Sequence, residues 1–386
     1  MKNRVIKEIE SRIGYWTELA YKIFDNPECS DETVYASELL TEELKKQGFT
    51  VESPVGGLKT SFRAVWKKGE GGPNIGFLGE YDALRNLGHA CAHHMQAPAA
   101  IAAAVALKEV LSETDIPFTL TVYGTPAEES FGGKIVMAEN GCFGELDVAL
   151  ATHAGSGAGA VASSGMALWP YVVDFYGVKA HASGAPHEGR SASDAMLLAF
   201  HGVEFLREHV KEETRMHYSI KEGTGPTNVV CDHAVAAFTL RYPNDKYLEE
   251  LDQRFRDIIK GACLMTGTTA DIKRNIAFSA GKNNRALADI VKENYEYNGM
   301  AVSDNFMATA KGSSDVYNVA TLVPATMCNI YFHDSPAHTQ DWVDAGKSER
   351  AQTCILNSAK LVASVGYDLI TEPEKLQMVK DDFESP

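Results

Sequence analysis

The 386-residue sequence predicts a mixed, largely parallel α/β sheet flanked by helices, interrupted by a smaller inserted α+β domain of one sheet and two helices. Three observations predict it. From Asp31 to His153, apolar strand-like runs alternate with helix-like runs, the signature of a parallel sheet with helices on its faces. After Gly165 the order becomes strand, long helix, strand, helix, strand, and a separate helical pattern resumes at Asn284. A chain of this length also exceeds one comfortable hydrophobic core, so two domains are expected. The boundaries that follow are 1–166 with 281–386 for the main domain and 167–280 for the insert.

Each element has a local reason. MKNRVIKEIESRIGYW at the N-terminus reads as an amphipathic helix, and DETVYASELLTEELKKQG as a second helix closed by Gly48 before FTV begins a strand. SFRAVW (Ser61–Trp66), NIGFLGEYD (Asn74–Asp82), FTLTVYGT (Phe118–Thr125) and LDVALATH (Leu146–His153) are strand-like. Between them, Ala97–Leu111 and GGKIVMAENG read as helices, the latter with a Gly stop. In the insert, ALWPYVVDFYGVKAHA, AVAAFTLRYP and TADIKRNI supply strands, and SASDAMLLAFHGVEFLREHV and Lys246–Met265 the two helices. Asn284–Tyr297 returns the chain to the main domain as a helix.

Composition narrows the function. With 36 Lys+Arg against 52 Asp+Glu, the net charge of −16 argues against nucleic acid or an anionic membrane as partner. No stretch approaches the roughly 20 apolar residues of a membrane span, and the N-terminus has no signal-peptide core. Seven scattered cysteines, odd in number, do not form a disulfide framework. The expectation is a reduced, cytoplasmic, small-molecule enzyme.

Loops at the carboxyl ends of parallel strands form the usual ligand crevice, and three of the strands end there in metal-binding residue types. NIGFLGEYD runs through Asp82 into HACAHH, with His89, Cys91, His93 and His94. FTLTVYGT runs into Pro126, Ala127, Glu128 and Glu129, and LDVALAT ends on His153. YFHDSPAHTQDW, near the C-terminus, adds His333 and His338. Singly, each has an ordinary reading: a buried cysteine, a pair of surface carboxylates, a core histidine. Jointly they favour a metal site, where one of two adjacent acids binds metal and the other accepts a proton from water. His201, His209 and His217 are expected in or after the long helix on solvent, His187 and His233 in loops without partners. His181 is harder to dismiss, since a turn-rich PHEGR loop follows it.

As a set, GEYDAL, GHAC with His93, YGTPAEE with GGKI, AHASGAPHEGRSASDA, TNVV and GSSDVYNV resemble the dinuclear metal-dependent aminoacylase/carboxypeptidase family. The likeness is to its amidohydrolase branch, with hippurate hydrolase, indole-acetyl-amino-acid hydrolases and aminobenzoyl-glutamate hydrolase, and it runs from Asn26 to about Trp342. The resemblance implies two divalent metal ions held by Cys91, His93, Glu129, His153 and His338, with the Cys91 thiolate or a water bridging them. It implies Glu128 as general base and Asp82 as the acid that orients a ligand. The inserted domain is implied to be a lid and dimerisation domain. Its His181 would reach the partner's active site and stabilise the oxyanion, while Asn228 and Arg241 hold the substrate carboxylate. Ser313, Ser314 and Asp315 resemble a substrate-side loop. Thiolate and imidazole donors favour zinc, with manganese or cobalt as alternatives.

Three positions depart from the family pattern: Ala92 stands where the motif carries Gly, His94 where it carries Asn or Asp, and LRN (Leu84–Asn86) replaces LPG. The activity implied is hydrolysis of the amide bond of an N-acyl or N-aroyl amino acid or related small amide, in a homodimer. Alternatives are a dipeptidase or carboxypeptidase using the same site, hydrolytic removal of an amino group from an aromatic compound, and a degenerate member that binds a small molecule without turnover.

Overall fold

The computed structural model describes residues 1–223, 225–307 and 312–385. It divides into two compact units, one of Met1–Gly165, Gly281–Ala310 and Ser314–Pro386, the other of Met166–Ala280 and Lys311–Ser313. The second unit thus begins at Met166 and includes Ser313.

The first unit opens with helices α1 (Lys2–Ser11), α2 (Ile13–Phe24) and α3 (Val34–Lys46). Strands β1 (Thr50–Glu52), β2 (Phe62–Lys68) and β3 (Asn74–Gly79) follow, then α4 (Gln96–Leu111), β4 (Phe118–Gly124), α5 (Gly133–Glu139), β5 (Val148–Gly155) and β6 (Ala160–Ala162). The second unit contains β7 (Ala167–Tyr176), α6 (Ala192–Arg207), β8 (Arg215–Glu222), β9 (His233–Tyr242), α7 (Asp245–Thr266) and β10 (Thr269–Arg274). The chain returns to the first unit with α8 (Arg285–Tyr297), α9 (Val316–Val319), β11 (Ala325–Tyr331), α10 (Gln340–Ala345), α11 (Glu349–Thr371) and α12 (Pro373–Glu384).

Among the described residues, the first unit's sheet has the order β1-β2-β4-β3-β5-β11-β6. The pairs β4/β3, β3/β5 and β5/β11 are parallel, whereas β1/β2, β2/β4 and β11/β6 are antiparallel. The parallel character predicted from the sequence therefore belongs to the central four strands. Strand β11 is not among the strands the sequence predicts, yet it pairs with β5 over its full length and sets Asn329 beside His153.

Both faces of this sheet are covered, which explains why its central strands read as unbroken apolar runs. Ile75, Phe77, Leu120, Val122, Val148 and Leu150 face one core, shared with α4 and α11. Leu78, Tyr123, Ala149 and Ala151 face the other, with Met137 of α5 and Val316 and Val319 of α9. Helix α4 is apolar nearly all round because it is enclosed, with α1, α2 and α11 packed against it. Its approach to β3 depends on Gly79, where a Cβ would lie 2.6 Å from the Cα of Ala97.

The second unit carries, among the described residues, an antiparallel sheet of order β10-β7-β9-β8 with α6 and α7 packed on it. Strict alternation in β7 and β9 sends Trp169, Tyr171, Val173, Phe175, Ala234, Ala236, Phe238 and Leu240 into one core. His217 follows the long helix and is exposed, as expected, in the edge strand β8. One histidine expectation needs correction: His233 opens β9 with Nε2 3.1 Å from an Asp174 oxygen and its ring stacked on Tyr176. The alternation of Met216, Tyr218 and Ile220 was the available signal for β8.

Candidate metal centre

Four parallel strands of the first unit deliver chemical residues at their carboxyl ends. Beyond β3 come Glu80, Asp82, Cys91 and His93; beyond β4 come Glu128 and Glu129; β5 carries His153 near its end; and His338 follows β11. Their donor atoms form three close groups: Cys91, His93 and His153; Cys91, Glu129 and His338; and His93, Glu128 and Glu129. Within each group the atoms lie within 4.8 Å of one another, and Cys91 is common to the first two.

The turns that present these groups are bent in ways the sequence does not relax. Ala92 (φ 61°), Ala127 (φ 70°) and His338 (φ 65°) all sit in the left-handed region without being glycine. Such residues cost about 1–3 kcal/mol each and gather where geometry serves a function. Gly133 permits the sharp return after the acidic pair, since a Cβ there would collide with the carbonyl oxygen of Pro126. The backbone N–H of His338 donates to the Ala90 carbonyl at 2.9 Å, tying the last loop to the cysteine loop. Nε2 of His89 and of His94 contact the carbonyls of Ile23 (3.3 Å) and Gly346 (3.0 Å), bracing that loop from beneath.

Individual orientations suit ligation. The Nδ1–H of His153 donates to the Ala154 carbonyl at 2.7 Å, so the Nε2 lone pair faces Cys91 Sγ at 3.4 Å. Asp82 holds two groups at once: Oδ2 accepts from the Glu129 N–H at 3.1 Å, and Oδ1 lies 3.4 Å from His93 Nδ1. His93 Nε2 is 3.2 Å from Glu80 and 4.0 Å from Glu129, whose Oε1 is 3.3 Å from His338 Nε2. His338 is the exposed member; the side chains of Cys91 and His93 are buried.

The residues fit a cation. His93 Nε2 and Glu129 Oε1 are buried polar atoms without hydrogen-bond partners. Leaving such atoms unpaired costs about 1–3 kcal/mol each, which a bound cation removes. Burial pushes the Cys91 thiol up to about 12, against the opposing influence of His93. Burial would lower His93, but Cys91 and Glu80 carry it well above the usual imidazole range. Metal binding would displace those protons. Glu128 is held well above the ordinary carboxyl range by burial and by the Glu80 and Asp315 carboxylates.

The remaining residues that the sequence singles out belong to none of the three donor groups. His181 is exposed in the second unit, its Nδ1 accepting from the N–H groups of Ser183 (3.3 Å) and Gly184 (3.0 Å). Asn228 lies on the adjoining segment, where its carbonyl accepts from the Ala182 N–H at 2.9 Å. Arg241 projects from β9, half-buried, with Nη1 3.4 Å from Ser313 Oγ and Nε unpartnered. Ser314 is buried in the first unit and accepts from the Val316 N–H, a local role at the start of α9. His333 Nδ1 accepts from the Ser335 N–H and joins none of the donor groups. Sequence reasoning missed Glu80 and Lys134. A lysine inside GGKIVMAE is the one polar interruption of a buried face, a faint signal, and its partner Asp315 is 181 positions away.

A doubly covered α/β sheet with thiol, imidazole and carboxylate groups converging at its strand ends is an arrangement that could serve a metal-dependent hydrolase. Residues 167–264 match the model of the peptidase dimerisation domain. The chain is 32% identical to human Xaa-Arg dipeptidase over 98% of this chain and 90% of that protein. It is 29% identical to a p-aminobenzoyl-glutamate hydrolase polypeptide of Escherichia coli K12, covering 97% and 93% respectively. Its fold superposes with a TM-score of 0.72, at 15% identity, on the Bacillus subtilis YXEP protein, a dinuclear metal-binding peptidase of the M20 family, covering 94% and 99%. The chain belongs to the M20 family of metal-dependent hydrolases, which act on amide and peptide bonds.

Proposed function

We propose that this protein is a dinuclear amidohydrolase that cleaves the amide bond of an N-acyl or N-aroyl amino acid, or of a dipeptide. The observation that carries this reading is the convergence of Cys91, His93, Glu129, His153 and His338, with Cys91 shared by two donor groups. Cys91, His93 and His153 would hold one ion, and Cys91, Glu129 and His338 the other. Zinc suits this donor set best. Two divalent ions there supply Lewis acidity toward a carbonyl and a water that ionises near neutral pH.

The chain's own groups do the rest. Glu128 is adjacent to Glu129, with an oxygen among the donor atoms of His93 and Glu129, so its ionised carboxylate is placed to accept the attacking water's proton and return it to the leaving nitrogen. Asp82 keeps His93 and the Glu129 backbone in register. In the second unit, Arg241 and Asn228 are proposed to hold the substrate carboxylate, with Arg241's unpartnered Nε matching a bidentate grip. His181 is proposed to stabilise the oxyanion in the reaction of the other protomer of a homodimer. Support for the dimer comes from the dimerisation-domain match and from Phe205, Ile220, Leu264 and Met265, large apolar side chains exposed on that unit.

The names of the relatives, an Xaa-Arg dipeptidase and a p-aminobenzoyl-glutamate hydrolase, frame the substrate class. All seven cysteines are free, and no helix among the described residues is long and apolar enough to cross a membrane; a cytoplasmic location is the proposal these suit. The test is elemental analysis of chelator-free protein alongside amino-acid release from a panel of acyl amino acids, aroyl amino acids and Xaa-Arg dipeptides. Near two ions per chain with turnover of at least one class is expected. Metal-poor protein inert toward the whole panel would refute the reading.

A further inference from the structure

Beneath the donor groups lies a buried ionic cluster that the proposed reaction does not use. Lys134, at the start of α5, is fully buried, and so is Asp315; Glu80 is 2% exposed. The Lys134 ammonium donates to Asp315 Oδ1 at 2.7 Å and to Glu80 Oε1, while its backbone N–H donates to Asp315 Oδ2 at 3.0 Å. Glu80's other oxygen accepts from Gln96 Nε2 at 2.8 Å and stands 3.2 Å from His93 Nε2. The cluster therefore joins the end of β3, the start of α4, the segment following the Glu128–Glu129 turn, and the loop before α9.

A lysine is a costly choice for such a place. Burial opposes its charge, and the carboxylates of Asp315, Glu80 and Glu128 overcome that and hold it protonated. A purely packing role would be filled as well by an apolar side chain with neutral partners, since buried ion pairs are often no more stable than their hydrophobic replacements. Resting on the metal-centre reading above, we infer that Lys134 is a positioning residue for that centre. It fixes the Glu80 carboxylate against His93 and clamps the turn bearing Glu128 and Glu129 to Asp315. Both halves of the donor set are then held by one ammonium group.

Zinc affinity, measured by competition with a chromophoric chelator, tests this beside thermal stability of the stripped protein. Lys134→Met should weaken zinc binding by roughly 10- to 100-fold, the range typical of groups that orient ligands, and should lower stability by stranding two buried carboxylates. The neutral combination Lys134→Met with Glu80→Gln and Asp315→Asn should regain most of the stability but not the affinity. Cobalt bound to that combination should show an altered thiolate absorption from Cys91. If affinity returns together with stability, or if Lys134→Met binds zinc like the wild type, the cluster is structural and the inference falls. Should neither variant fold, Gln96→Met decides, because it frees one Glu80 oxygen without creating a buried charge; unchanged zinc affinity there overturns the inference. Wild-type protein that binds no zinc refutes the metal-centre reading itself, a distinct result.

Discussion

Side chains in the candidate centre are tuned by what is packed around them. Glu128 illustrates the chemical side: it is the proposed base beside Glu129, and its loss should be felt in turnover and not in metal content. Glu128→Gln keeps size and hydrogen bonding, and a fall in kcat of about 100- to 10,000-fold with unchanged metal is expected. Elemental analysis and steady-state kinetics on the same sample check it. His94 illustrates the structural side. Burial brings it down to about 4, against its bond to the Gly346 carbonyl, so it is neutral in the folded protein. In the unfolded chain it would titrate near the ordinary 6.5. Between those values the unfolded state binds more protons, so the stabilisation is complete above about pH 6.5 and is lost as pH falls toward 4. The loss attributable to His94 is about 3 kcal/mol. Thermal melts across that window should show a weaker decline for His94→Gln, whose amide nitrogen can take the place of Nε2 toward Gly346 and which has no ionisable group.

At the scale of elements, the candidate donors meet because four parallel strands end side by side. Each of the loops is short of a full ligand set, so each should be indispensable. Cys91→Ala is expected to lose both ions, since Cys91 belongs to two donor groups, whereas His338→Ala should lose chiefly one. Metal quantification after gel filtration separates the two outcomes, and full retention in both variants would remove the ligand assignment. The seating of α4 on β3 makes a second, steric prediction. Gly79→Ala places a methyl against the Ala97 backbone, where neither element can yield cheaply. Destabilisation of about 1–3 kcal/mol is expected from such overpacking, read as a lower melting temperature. Because Glu80 and Asp82 follow directly, weaker metal retention should accompany it.

For the whole molecule, the division into two units separates the metal donors from His181, Asn228 and Arg241. The proposal that His181 serves the other protomer has a direct test in mixed dimers. His181→Ala and Glu128→Gln should each be inactive alone. After the protomers exchange, a heterodimer would have one reaction site broken twice and one intact, so its rate should approach about half that of a wild-type dimer by the symmetry of a two-fold pair. Heterodimers verified by mass spectrometry yet as inactive as their parents would show that His181 acts within its own chain or not at all.

The sequence by itself determined the fold class and the family, and it named the candidate donor residues. Alternating strand and helix patterns, Gly stops and the acid, cysteine and histidine residues at strand ends are local signals, each carried by a few consecutive residues. NIGFLGEYD and LDVALATH were legible as strands because both faces are buried; β8, exposed except at Met216, lacked that imprint. Order within the sheet, the insertion of β11 beside β5 and the antiparallel flanks were decided only by tertiary structure, because strand pairing joins residues far apart in the chain. The same holds for electrostatics. Nothing near Lys134 in sequence announces Asp315, and nothing near His153 announces Cys91 as the sulfur its Nε2 faces. A charge can be buried only where its partner is delivered by another element, so its place in the centre is a property of the packed molecule.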